Sequence, residues 1–192
     1  KAKCLSKSQL EVLLSNLPEK YNLLATTMYF LAGRVGETTS IRVRNINIKD
    51  GLVMLEKSST KCKESRQIPI PSKLMSSLKA WIDDNSLQDD DYVFFSSSRN
   101  IKYESGAKKL SNQSVDEVFR KIFDWVGIEG ASSHSFRRSR LTHLMEKNFN
   151  MRQIMDISGH KNLLSLQQYL DSDKALTHKK YRLLIEEEFS YA

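Results

Sequence analysis

The chain has 192 residues, 40% of them hydrophobic and 28% charged, enough apolar material to bury a core and too much for a disordered chain. Thirty Lys and Arg against 23 Asp and Glu leave a net charge of +7 and an isoelectric point near 9.3, which favours a polyanionic partner such as nucleic acid or an acidic membrane surface. No apolar run is long enough to span a bilayer and no signal-peptide pattern opens the chain. The two cysteines, Cys4 and Cys62, stand alone, which argues against a disulfide scaffold or zinc knuckle and fits a reducing, cytoplasmic setting.

Ser6 with Gln9 reads as a capping box, followed by a helical stripe of Leu10, Val12, Leu13 and Leu14. Pro18 suits the first turn of a second helix, whose apolar set runs through Tyr21, Leu24, Met28 and Leu31 until Gly33 breaks the pattern. Ile46 and Ile48 then alternate with polar residues, a Lys49-Asp50-Gly51 turn follows, and Leu52 to Leu55 complete a hairpin signature. A polar, basic loop leads to a third strand over 66–70, and the helical period returns over 72–84 with Leu74, Leu78, Trp81 and Ile82.

Residues 92–95 read as a short extended segment and 96–109 as an exposed loop. A helix from 112 to 126 carries Val115, Val118, Phe119, Ile122 and Phe123 and ends at Gly127. Three further helical segments are separated by Asn150 and Gly159, and a last one over 175–191 carries Leu183, Leu184, Ile185 and Phe189. The expected fold is α+β: one mostly helical domain with a small antiparallel three-stranded sheet inserted early.

Four segments hold residue types that phosphate chemistry needs. Arg34 and Glu37 follow a helix end three positions apart, a spacing that usually marks a surface ion pair. The stretch from Thr60 to Arg66 is strongly basic and joins two strands, as a solvated hairpin tip also does. His134 and Arg137 share a face near a helix N-terminus, where free N–H groups favour an anion, and three arginines in four residues add to that bias. Ser158-Gly159-His160 precedes Tyr169, which lies off the centre of a Leu163, Leu166, Leu170 stripe and either packs at the core edge or points into a cleft.

In this order the segments resemble the tyrosine recombinase (phage integrase) family, over roughly residues 5–188 and in its catalytic domain. The resemblance rests on Arg34 with Glu37, Lys61 eight residues before Pro69, His134 and Arg137, Gly159-His160, and Tyr169 nine residues after that histidine. Ala32 stands where the family's turn has Gly, and Phe136 where Leu is usual; Lys63 competes with Lys61 for the lysine position.

The resemblance implies a site-specific recombinase or integrase that cuts and rejoins double-stranded DNA through a 3′-phosphotyrosyl link, without metal, ATP or other cofactor. It implies Tyr169 as nucleophile, Arg34 and Arg137 as a clamp on the non-bridging oxygens, and Lys61 as the acid for the departing 5′ oxygen. His134 and His160 would assist by proton transfer and hydrogen bonding, with Glu37 supporting Arg34. Lys57, Lys63, Arg66, Arg138, Arg140 and Lys161 are expected on the DNA backbone. The family also implies a preceding DNA-clamping domain not seen in this sequence, a homotetramer on DNA from a chain monomeric when free, and a C-terminal segment passed to a neighbouring protomer. Leu183, Leu184, Ile185 and Phe189 suit that last role, or else pack on their own domain.

Overall fold

The computed structural model describes residues 2–56, 64–96, 108–167 and 174–189. Helix α1 (Lys7–Ser15) starts on the expected capping box: Ser6 Oγ accepts from the Gln9 N–H, and the Gln9 side chain accepts from the Ser6 N–H. Its buried side chains are Leu10 and Leu13, whereas Val12 is half exposed, because a step of two residues turns a helical side chain away from the apolar face. Helix α2 (Glu19–Phe30) is the central element and packs against α1, α4 (Ser72–Asp84) and α6 (His134–Glu146).

Helix α2 ends in a left-handed residue. Gly33 N–H donates to the Met28 carbonyl at 3.0 Å and Ala32 N–H to the Tyr29 carbonyl at 3.1 Å, the paired bonds of a Schellman motif with Ala32 at φ 45°. Gly33 is needed for closeness: a Cβ there would lie 2.7 Å from Thr38 Oγ1. The short helix α3 (Val35–Thr38) follows at once.

The sheet is antiparallel in the order β1 (Ile46–Asn47), β2 (Leu52–Leu55), β3 (Arg66–Pro69). Strand β1 is shorter than the alternation of Ile46 and Ile48 predicts. The Asn47 side chain bonds both the backbone and carboxylate of Asp50, so the turn begins at residue 48 and leaves Ile48 exposed. The register pairs Val53 with Ile68 and Leu55 with Arg66, placing Arg66 at the end of the ladder that faces the basic connection. That connection, residues 57–63, lies outside the described residues, as does most of the predicted 96–109 loop.

Helix α5 (Asn112–Trp125) presents Val115, Phe119 and Phe123 to the main core, where Phe119 and Phe123 meet Phe136 of α6. The chain's start straps across this region, with Lys3 N–H on the Gly130 carbonyl and Leu5 N–H on Ser139 Oγ at 2.7 Å. A second, smaller core joins Ala32 to Leu141 and Leu144 of α6, Ile154 of α7 (Met151–Ser158) and Leu166 of α8 (Leu163–Gln167). Residue 137 leaves α6 between Phe136 of the first core and Leu141 of the second. Helix α9 (Lys174–Phe189) closes the described chain, and Tyr181, Leu183, Leu184 and Ile185 on it are exposed rather than packed on their own domain.

Candidate phosphate-binding site

The site is built around one buried carboxylate. Glu37 on α3 is 2% exposed and reaches back to the residue that precedes its own helix: Oε2 accepts from the Arg34 N–H at 3.1 Å, and Oε1 accepts from Arg34 Nη1 at 2.7 Å. From β3, Arg66 Nη2 donates to Oε2 at 2.8 Å. Arg137 Nη1 lies 3.8 Å from the same oxygen. Burial pushes the Glu37 carboxyl up, but the charge and hydrogen bond of Arg66, the Arg34 N–H and the charge of Arg137 outweigh it and hold the group below the usual carboxylate range. The surface ion pair that the Arg34–Glu37 spacing suggests is thus the core of a buried network.

Arg137 is fully buried, and such a charge is tolerable only when it is paired or hydrogen-bonded. Nη1 donates to the Ala32 carbonyl at 2.6 Å and Nη2 to the Ser158 carbonyl at 2.9 Å. Nη2 also lies 3.3 and 3.2 Å from the two ring nitrogens of His160. The guanidinium is therefore fixed by the C-termini of α2 and α7 before any ligand arrives.

His160 follows Gly159, the left-handed cap of α7 at φ 70°. The imidazole is 7% exposed, and Ser158 Oγ sits 2.7 Å from its Nδ1. Burial, then the nearby charges of Arg137, Arg34 and Arg66, push its pKa down to about 3, with Glu37 opposing. The ring is neutral at physiological pH and offers one N–H donor and one lone pair. His134, three residues before Arg137 on the same helix, is exposed in the first turn of α6, while Arg137 one turn further in is buried.

Two of the expected DNA-facing arginines are not open surface cations. Arg66 is 10% exposed and turned onto Glu37, and Arg138 is 4% exposed. Arg140 stacks over the rings of Tyr29 and Phe30 at 5.4 and 5.2 Å. Lys161 is exposed and pairs with Glu64 at 2.7 Å. Lys57, Lys61, Lys63 and Tyr169 lie outside the described residues. Sequence reasoning missed the parts played by Ala32, Ser158 and Arg66; only an Ala at a helix end before Gly-Arg hinted at the first.

Arg34, Arg137 and His160 come together from three segments, each placed by a helix end. Two guanidinium forks beside a neutral imidazole form a preorganised cradle for a tetrahedral oxyanion. The chain belongs to the phage integrase family, whose sequence model matches residues 3–175. It is 26% identical over 170 residues to the tyrosine recombinase XerA of Thermococcus kodakarensis, covering 87% of this chain and 57% of that protein. It is 30% identical over 152 residues to XerC of Proteus mirabilis, covering 76% of this chain and 45% of that one. The chain thus spans about half the length of these curated relatives. Its fold is that of a crystallised XerA recombinase (TM-score 0.76, 16% identity, 94% of this chain and 64% of that one). It is also that of XerH bound to a palindromic difH substrate after cleavage (TM-score 0.74, 18% identity, 93% of this chain and 51% of that one).

Proposed function

We propose that this chain is the catalytic domain of a site-specific DNA recombinase that cuts and rejoins double-stranded DNA through a 3′-phosphotyrosyl intermediate. The observation that carries the reading is the convergence of Arg34, Arg137 and His160 around Glu37. Arg34, 18% exposed, and Arg137 bind the non-bridging oxygens of the scissile phosphate and offset the charge that builds on them in the transition state. Neutral His160 donates a hydrogen bond to the same phosphate, since a cationic ring there would be repelled by both guanidinium groups. His134 assists from the exposed first turn of α6.

Tyr169 attacks phosphorus through its phenolic oxygen as its proton passes to His134, and the bond to the 5′ oxygen breaks. Lys61 supplies the proton that this oxygen takes. The phosphotyrosyl link keeps the energy of the broken bond, so a 5′-hydroxyl from a second strand reverses the step, and neither ATP nor a metal ion enters it. Among proteins of similar fold, the Tn1549 transposon integrase is in complex with a circular intermediate DNA, XerH is bound to a difH substrate and a lambda integrase dimer to a core site, which supports DNA as the partner. The exposed apolar side chains of α9 support exchange of this helix between protomers of a homotetramer. Lys57, Lys63, Arg140 and Lys161 serve the DNA backbone, whereas Arg138 is buried and does not, and a clamping domain belongs before this one.

The test is incubation with random-sequence duplexes carrying a nick, so that the cleaved fragment diffuses away and the adduct is trapped. The expected result is a denaturant-stable protein–DNA adduct, lost in Tyr169→Phe, which still binds DNA. An adduct formed by Tyr169→Phe refutes the nucleophile, and no adduct from the wild-type chain refutes the reaction.

A further inference from the structure

Arg66 turns away from solvent. At the end of β3 its guanidinium bonds Glu37 Oε2 at 2.8 Å and packs under the turn that carries His160. A Cβ built on Gly159 would meet Arg66 Nη1 at 2.9 Å and Cζ at 3.3 Å, so the absence of a side chain at residue 159 makes room for this fork. One side chain from the sheet therefore touches both the carboxylate of α3 and the cap of α7.

The charges give this contact a consequence. Glu37 has two oxygens and three guanidinium neighbours: Arg34 holds Oε1, Arg66 holds Oε2, and Arg137 stands 3.8 Å from Oε2, too far for a hydrogen bond. With Oε2 occupied, the two Nη groups of Arg137 go to the Ala32 and Ser158 carbonyls. Remove Arg66, and Oε2 of the buried carboxylate keeps only the Arg34 N–H, with the Arg137 guanidinium 3.8 Å away. Moving it onto Oε2 breaks the bonds that fix its fork, and a fork held by a carboxylate is not free for phosphate.

We propose that Arg66 is a positioning residue: it occupies Glu37 Oε2 and braces the Gly159 turn, so that Arg137 and His160 hold the places from which they meet the scissile phosphate. The proposal rests on the recombinase function above. It replaces the expectation that Arg66 contacts the DNA backbone.

The experiment measures the rate of adduct formation on the nicked duplex at saturating DNA, together with DNA affinity at two salt concentrations. Arg66→Ala is expected to slow the step by roughly 100-fold, the cost of displacing a reacting group by about 1 Å, with affinity and its salt dependence unchanged. Arg66→Lys, which keeps a cation on Oε2, is expected to recover part of the rate, and it carries the test if melting shows that Arg66→Ala is unfolded. In a Glu37→Gln background Arg66→Ala is expected to cost little more, because a neutral amide does not draw Arg137 across. Wild-type rates in Arg66→Ala, multiplicative losses in the double variant, or a loss confined to affinity and salt dependence would each overturn the proposal. Failure of the wild-type chain to form any adduct would instead remove the function on which it rests.

Discussion

Arg137 donates to the carbonyl of Ala32 at 2.6 Å across 105 residues of sequence, and Ala32 presents that carbonyl from a left-handed backbone. The same Ala32 methyl is fully buried against Leu141, Leu144, Ile154 and Leu166. A residue with a Cβ has been kept where glycine is the usual choice, because the methyl also fills the smaller core. The strain of φ 45° and the burial of a methyl oppose each other at one position.

Ala32→Gly should consequently be nearly neutral. Relief of left-handed strain contributes about 1 kcal/mol, and loss of a buried methyl costs about 0.8 kcal/mol. A melting shift below about 4 °C is expected by calorimetry. Ala32→Val adds branching at positive φ and volume in a filled core, costs about 2 kcal/mol or more, and shifts the carbonyl on which Arg137 depends. A Val variant as stable and active as wild type would contradict the role given to this residue.

Arg137→Lys keeps the charge and loses the fork. One ammonium cannot reach the Ala32 and Ser158 carbonyls with two separate nitrogens while also facing a phosphate. The rate of adduct formation is expected to fall by roughly 100- to 1,000-fold, as when one donor to a developing oxyanion is removed. Near-normal cleavage by this variant would count against a bidentate clamp.

Acid should destabilise the fold before the carboxylates titrate. The folded-state pKa of His160 is depressed to about 3, so as pH falls below its unfolded value of 6.5 the unfolded chain gains a proton that the folded chain does not. Stability therefore drops with falling pH from about 6.5 down to about 3. At about 1.4 kcal/mol per unit, His160 accounts for a loss of about 2 kcal/mol between pH 6.5 and 5. His143, lowered chiefly by burial and bonded to the Tyr29 hydroxyl at 2.8 Å, acts in the same direction. Glu37 does not contribute in this window, since its depressed pKa costs stability only at lower pH. Urea unfolding of His160→Gln at pH 6.5 and 5 should show a smaller loss than wild type; equal losses would mean that the ring is protonated in the fold.

Tyr181, Leu184 and Ile185 lie at i, i+3 and i+4 on α9 and form an exposed stripe. Leu184→Glu should leave the melting temperature of the free chain unchanged, the cost at an exposed position being about 0.5 kcal/mol or less. It should reduce complexes holding more than one protomer on DNA while sparing single-protomer binding, as resolved on native gels. A large drop in the melting temperature would show that the helix packs on its own domain.

Much of the architecture is local physics and was legible in the chain. The capping box at Ser6, the apolar stripe of α5 and the turn before Leu52 each depend on residues within one or two turns of one another. The Arg34–Glu37 pairing is local too, because three positions of one helical turn bring the two side chains together. Tertiary structure alone decided which members of a basic sequence lose their water. His134 and Arg137 share a helix face, yet one is exposed and the other wholly buried, because burial depends on what α2 and α7 bring to each turn of α6. Arg66 reads as one more surface cation until β3 sets it against a carboxylate 29 residues earlier. Spacing of ~100° per residue fixes the direction in which a side chain leaves its helix. The partner waiting there comes from distant chain, and it determines whether a charge binds solvent or holds a catalytic group in place.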